Sequence, residues 1–209
     1  MVEGTIDKKK LEIMLDKLEG KLKPLPNLEQ HRTPGWIAAD IVWTARQSGM
    51  LLNKRILDLG SGVGIFCIAS LLAGASECIS IEIDPDSIEV QRRNLAMYEL
   101  QDDAHVILGD AKHLPLRESI CDLALMNPPF GTVKKGDDVA FLYSAVSACR
   151  AALSLHLSSE KTREFIYREM EKIGKKSKVL KTYKMELKQI FEYHRSRIKR
   201  ISVDLYLVE

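Results

Sequence analysis

Residues 55–72 read RILDLGSGVGIFCIASLL, and the parsing of this stretch decides the fold. Arg55–Leu59 is a short, mostly apolar run suited to a strand, and Ile65–Leu72 is an apolar helix. Between them, Gly60-Ser61-Gly62-Val63-Gly64 forms a turn. Its glycines permit positive φ and close approach of another backbone, and the helix start beyond it offers unpaired N–H groups and a positive dipole end. Such a turn also serves plain strand-to-helix packing, so its meaning depends on the flanking sequence.

Downstream the pattern repeats. A strand over 78–83 carries Glu82 near its end, a helix follows over 85–98, and a strand over 105–109 runs into Asp110 and Ala111. An acidic group at the end of a second strand suits the two hydroxyls of a ribose, and Asp110 suits the exocyclic amine of an adenine. Each acid alone could be a helix cap, as Asp84 before Pro85 is expected to be. Their recurrence at successive strand ends argues for one ligand-binding rim. Strands alternating with helices predict an α/β fold around a parallel sheet.

The next strand, over 120–126, delivers Asn127-Pro128-Pro129-Phe130 to the same rim. Two consecutive prolines remove two backbone donors and fix two φ angles, holding the Asn127 amide and nearby carbonyls in a rigid outward geometry. The polar loop 131–138, with Lys134 and Lys135, follows as a candidate lid. Beyond it the spacing predicts a helix over 139–152, a short strand over 153–157, a helix over 158–174 with Ser159 near its cap, and strands over 179–187 and 201–208.

Upstream, Leu11, Met14, Leu15 and Leu18 lie at helical spacing within 7–19. Thr33 and Pro34 read as the cap and first residue of a helix over 36–48, with Gln30 in the loop before it. With 209 residues, 45% of them hydrophobic, the chain supports one well-buried core, so a single domain over 1–209 is expected, with a helical extension over about 1–50. No stretch approaches the ~20 apolar residues of a membrane span and the start lacks a signal-peptide pattern, which points to the cytoplasm. Cys67, Cys78, Cys121 and Cys149 lack CxxC spacing and sit in apolar runs. They read as reduced core thiols, and no metal site is expected.

The net charge of +2 conceals an asymmetry. Residues 54–140 hold 8 Lys/Arg against 14 Asp/Glu, whereas residues 160–200 hold 14 against 6. A basic run is often a solvated face. The alternative is a phosphate-contacting surface that includes Arg195, Arg197, Lys199 and Arg200.

Two ligand classes fit a glycine turn with a downstream acid: dinucleotides and S-adenosylmethionine. The glycines of Asp58-Leu59-Gly60-Ser61-Gly62-Val63-Gly64 alternate, whereas a dinucleotide fingerprint has the form GxGxxG. Gly60 and Gly62 would let the ligand approach the backbone closely, and Asp58 would repel a phosphate and support the ammonium of a methionine moiety, directly or through water. With a methylsulfonium in place, the rim needs only to present a nitrogen. The Asn127 side-chain oxygen and the Pro128 carbonyl would accept the two N–H bonds of an exocyclic amine, and Phe130 would stack on the base. Catalysis by positioning and hydrogen bonding needs no titratable base.

On these residues the chain resembles the class I S-adenosylmethionine-dependent methyltransferases with an NPP-aromatic motif. LEQHRTPG, DLGSGVGI, IEID, GDA, NPPFGT with GDDVAFL, and SLHLSSEKTRE together resemble the methyltransferase-like protein five family, which forms N6-methyladenine in small-subunit ribosomal RNA. The resemblance spans nearly the whole chain. It implies a Rossmann-like, seven-stranded αβα sandwich, cofactor contacts at Gln30, Thr33, Gly60, Val63, Ile65, Glu82, Asp110 and Ala111, and catalysis at Asn127 to Phe130. It also implies a small zinc-binding activator protein paired along the third strand, an edge open to strand addition. Ser61 and Val63 replace a cysteine-rich glycine loop, and Glu82 replaces an aspartate. NPP-aromatic sites elsewhere methylate guanine N2, DNA bases or protein glutamine, and a non-catalytic RNA-binding or ribosome-assembly role is a further alternative.

Overall fold

β1 (Arg55–Leu59) is buried at four of its five positions because layers of helix cover both sides of it. The alternation is explicit: Ile56 enters one hydrophobic core and Leu57 the other. The computed structural model describes residues 6–21, 25, 30–130, 136–188 and 198–209. Around β1 run β2 (Glu77–Glu82), β3 (Ala104–Leu108), β4 (Cys121–Met126), β5 (Cys149–Leu157), β6 (Ser177–Lys188) and β7 (Ile198–Val208). They form one seven-stranded sheet in the order β3-β2-β1-β4-β5-β7-β6. β1 to β5 are parallel, and β7 is antiparallel to both its neighbours. Strand order reverses between β1 and β4, and ligands bind at such a switch point, outside the carboxyl ends of the strands.

One core packs α1 (Lys8–Asp16), α2 (Gly35–Gln47) and α3 (Ile65–Leu72) on the sheet through Leu11, Leu15, Ile37, Ile41 and Ile68, joined by Leu95 of α4 (Pro85–Met97). The other packs α5 (Asp137–Ala148) and α6 (Glu160–Lys172) through Leu142, Val146, Ile166 and Met170. The expected αβα sandwich is therefore present, and α1 and α2 share a core with the central strand. All four cysteines are buried and unbridged. Among the described residues no helix is long and apolar enough to cross a membrane.

Three boundaries differ from the sequence reading. α5 stops at Ala148 and β5 begins at Cys149 rather than 153, because Cys149 pairs with Cys121 on β4 and the ladder overrides the helical propensity of Ala151 and Ala152. The last two strands are longer than expected and form a hairpin ladder down to Lys188↔Ile198. Thr33 does not cap α2: the cap position is Pro34, with no side-chain cap bond, and the Thr33 hydroxyl is engaged elsewhere.

Candidate active site

Leu59 is in register with Ile81 on β2 and Met126 on β4. Gly60, Glu82 and Asn127, one residue further along each chain, therefore emerge side by side. A cavity of about 410 Å³ opens above them, within the size range of small-molecule sites. Nine of the ten residues predicted to bind a cofactor line it: Gln30, Thr33, Gly60, Gly62, Val63, Ile65, Glu82, Asp110 and Ala111.

Asp58 is the exception. Strand alternation turns it beneath the glycine turn, 1% exposed, where its carboxylate accepts from Cys67 N at 2.9 Å. Gly64, the α3 cap residue, has no side chain to offer, so Asp58 supplies the missing acceptor to the first turn. Burial pushes its carboxyl up to about 7, with the Cys67 N–H opposing and the charge of Glu82 adding. Gly64 itself has φ of 85°, and a Cβ there would meet Gln91 Cγ at 2.5 Å. Gln91 cannot yield, because its amide is held by Ser61 Oγ and Ser80 Oγ, both at 2.8 Å.

Glu82 faces the cavity with Oε2 accepting from Gly62 N at 2.7 Å and Oε1 accepting from the Ile83 and Asp84 N–H groups at 3.0 Å each. Burial raises its pKa, against the pull of these donors. A carboxylate offers about four acceptor positions, so it retains capacity for a ligand hydroxyl. Two lysines also line the cavity, yet both are neutralised. Lys21 is ion-paired with Asp84, and Lys112 lies 3.4 Å from Asp137. Asp84 is desolvated, but bonds from Lys21, Ser87 and Gln30 outweigh that and hold it at about 2. Arg32 also lines the cavity, its guanidinium donating to the Leu15 and Leu18 carbonyls, so Glu82 and Asp110 face a wall whose cations are each engaged by other groups.

Asn127 is the most informative residue. Its Nδ2 donates to the His31 carbonyl at 3.3 Å and to Thr33 Oγ1 at 3.1 Å, while its Oδ1 is buried and has no hydrogen-bond partner among the described residues. Two acceptors from the segment before α2 thus fix which end of the amide points where. A buried, unpartnered acceptor costs about 1–3 kcal/mol unless something donates to it. Pro129 lines the cavity beside it, whereas Pro128 and Phe130 do not, and Phe130 is half-buried against the core that holds α2.

Residues 45–183 match the model of the TRM5/TYW2 methyltransferase domain. The chain is a class I methyltransferase of the TRM5/TYW2 domain family. It is 34% identical to the rRNA N(6)-adenosine-methyltransferase Mettl5 of Drosophila melanogaster, over 96% of this chain and 95% of that protein. The corresponding Danio rerio enzyme is 31% identical over 94% of this chain and 95% of its own length. The crystal structure of a candidate RNA methyltransferase from Pyrococcus horikoshii superposes with a TM-score of 0.87 and 34% identity, covering 97% of this chain and 95% of that one.

The methyl donor of this TRM5/TYW2-domain enzyme is S-adenosylmethionine. The cavity fits it: the glycine turn lies against acidic side chains, apolar walls come from Ile81, Ile83 and Ala111, and an orphaned acceptor waits at Asn127. Sequence reasoning missed Lys21, Ile83, Lys112, Asp137 and Phe141. Phe141 occupies an apolar helical position and reads as core, but its ring reaches the rim, where a Cβ on Gly60 would come within 3.0 Å of it. Among the described residues no cluster of His, Cys, Asp or Glu is arranged to hold a metal. Of the predicted RNA contacts, Lys134, Lys135, Arg195 and Arg197 lie outside the described residues, and Lys199 lies on β7. Arg200 is exposed, 2.9 Å from Glu186.

Proposed function

We propose that this chain methylates the N6 amino group of an adenosine in ribosomal RNA, with the small subunit as its target and the cytoplasm as its location. The observation that carries the reading is the pinned Asn127 amide, whose Oδ1 is buried without a hydrogen-bond partner among the described residues, on a residue that lines a cavity fit for a methyl donor. S-adenosylmethionine, when bound, supplies an electrophilic methyl group on sulfonium. Glu82 accepts the ribose hydroxyls, Asp110 and Ala111 meet the adenine, and Gly60, Gly62, Val63 and Ile65 form the floor. Gln30 closes the cavity from above by holding Asp84 at 2.8 Å.

On the acceptor side, Asn127 Oδ1 and the Pro128 carbonyl accept the two N–H bonds of the target amine. Its lone pair is thereby withdrawn from ring conjugation and aimed at the methyl carbon. With the donor bound, methyl transfer would form the N–C bond as the S–C bond breaks, and the surplus amine proton would leave to solvent. Pro129 keeps the strand end rigid and Phe130 stacks on the base. Lys134, Lys135, Arg195, Arg197, Lys199 and Arg200 hold the RNA backbone. The edge strand β3, where Leu108 is 61% exposed, takes a strand of a small zinc-binding activator protein.

Incubation of ribosomal subunits with labelled S-adenosylmethionine, followed by nucleoside analysis, tests this reading. N6-methyladenosine is the expected product, and Asn127→Ala lowers its formation at least ~10³-fold while leaving cofactor affinity within about twofold. Label recovered in guanosine or protein, or turnover retained by the variant, would overturn it.

A further inference from the structure

We infer that the indole of Trp36 is a stacking platform for a nucleotide adjacent to the target adenosine. The inference rests on the RNA reading above and adds a contact to it. Trp36 is the second residue of α2, three residues beyond the Thr33 hydroxyl that holds the Asn127 amide. It does not line the cavity, and 42% of it is exposed.

The ring is braced. Tyr183 of β6 packs edge-on to it, with centroids 5.9 Å apart and planes at 72°. Tyr183 is itself buried, and its hydroxyl donates to Asp40 Oδ2 at 2.7 Å. Asp40 is further held by Lys181 at 2.8 Å and by Lys8. An exposed indole fixed in this way gives up little conformational freedom when a base stacks on it. The other tryptophan, Trp43, differs: it is half-buried and the Arg46 guanidinium lies 5.2 Å from its ring centroid.

Position supplies the occupant. Tyr183 is in register with Val203, and Val203 with Leu157, the last residue of β5. The Trp36–Tyr183 contact therefore lies three residues past the level of Met126 and three strands across the sheet from β4. Beyond that level the β6–β7 ladder continues for five pairs, Lys184↔Ser202 to Lys188↔Ile198, an overhang of about 17 Å. Exposed Lys184 and Arg200 lie on that overhang, on the sheet face opposite Tyr183, and Arg200 is 2.9 Å from Glu186. An exposed aromatic face near a base-binding rim, with basic side chains along the neighbouring ladder, is a combination that binds single-stranded nucleic acid by stacking plus backbone attraction.

The test uses the full chain in a Trp43→Phe background, so that Trp36 is the sole indole, and a uridine nonamer with one central adenosine. RNA is expected to quench Trp36 emission saturably. Trp36→Ala raises the RNA Kd about tenfold, Trp36→Phe recovers most of that loss, and the Kd for S-adenosylmethionine is unchanged. Removing the base on one side of the adenosine weakens binding to the parent protein and costs nothing further in Trp36→Ala. Absent quenching, a nonamer that does not bind, or base-removal penalties equal in the two proteins would overturn the stacking assignment. Quenching and the Kd effect without any N6-methyladenosine in ribosomal subunits would instead preserve the stack and refute the proposed reaction.

Discussion

Thr33 was legible as important from its place before a helix, but not in its role. A threonine before proline reads as a cap, and only the tertiary structure brings its hydroxyl 3.1 Å from Asn127 Nδ2, across 94 residues of chain. Thr33→Val keeps the shape and deletes that acceptor, so the amide loses part of its orientation. Turnover is expected to fall about 10–100-fold, more than any loss of cofactor affinity at this cavity-lining position, as single-turnover kinetics and calorimetry would register; an unchanged rate would refute the positioning role. Asp58 shows the converse. Its acidic character beside the glycine turn was visible, but strand alternation buries it under α3 instead of offering it to the ligand. Because its folded pKa is raised to about 7, the folded protein keeps the proton between about pH 4 and 7 while the unfolded chain releases it. Asp58 therefore makes stability decline with rising pH across that window and contributes no slope above it. Asp58→Asn, which still accepts from Cys67, should remove that decline; urea midpoints measured from pH 4 to 8 would reveal it, and a slope identical to the parent's would contradict the burial argument.

At the level of elements, the glycine turn, the strand ends at Glu82 and Asp110 and the corner at Asn127 were readable because each combines a local apolar run with a polar residue where the run stops. The β6–β7 hairpin was harder to read, since its length is set by pairing between strands rather than by either strand's own pattern. The run of positive charge announced this region without revealing that its ladder extends past the end of β5. Charge reversal at Arg195, Arg197, Lys199 and Arg200 should weaken RNA binding and flatten the dependence of log Kd on log salt by roughly 0.7 for each phosphate left unneutralised. Titrations at several salt concentrations measure both quantities, and an unaltered slope would return these residues to the role of a solvated face.

For the molecule as a whole, the central sheet leaves one parallel edge at β3, where Leu108 is exposed beside its register partner Glu82. A strand-adding activator would cover that edge and stabilise the enzyme by mass action, about 2.7 kcal/mol at a hundredfold excess over Kd. Leu108→Lys should abolish co-purification and the accompanying rise in Tm while leaving the Tm of the free enzyme unchanged; undiminished co-purification would place the partner elsewhere. The pinned amide at the opposite side of the switch point has a consequence for substrate editing. Since both Nδ2 hydrogens are committed to His31 and Thr33, Asn127 cannot flip to become a donor. A deaminated adenosine would bring its 6-oxo group against an oxygen with no proton between them. On the proposed reaction inosine would meet lone-pair repulsion at this oxygen, and RNA that has undergone adenosine-to-inosine conversion at the target is expected to pass through unmodified.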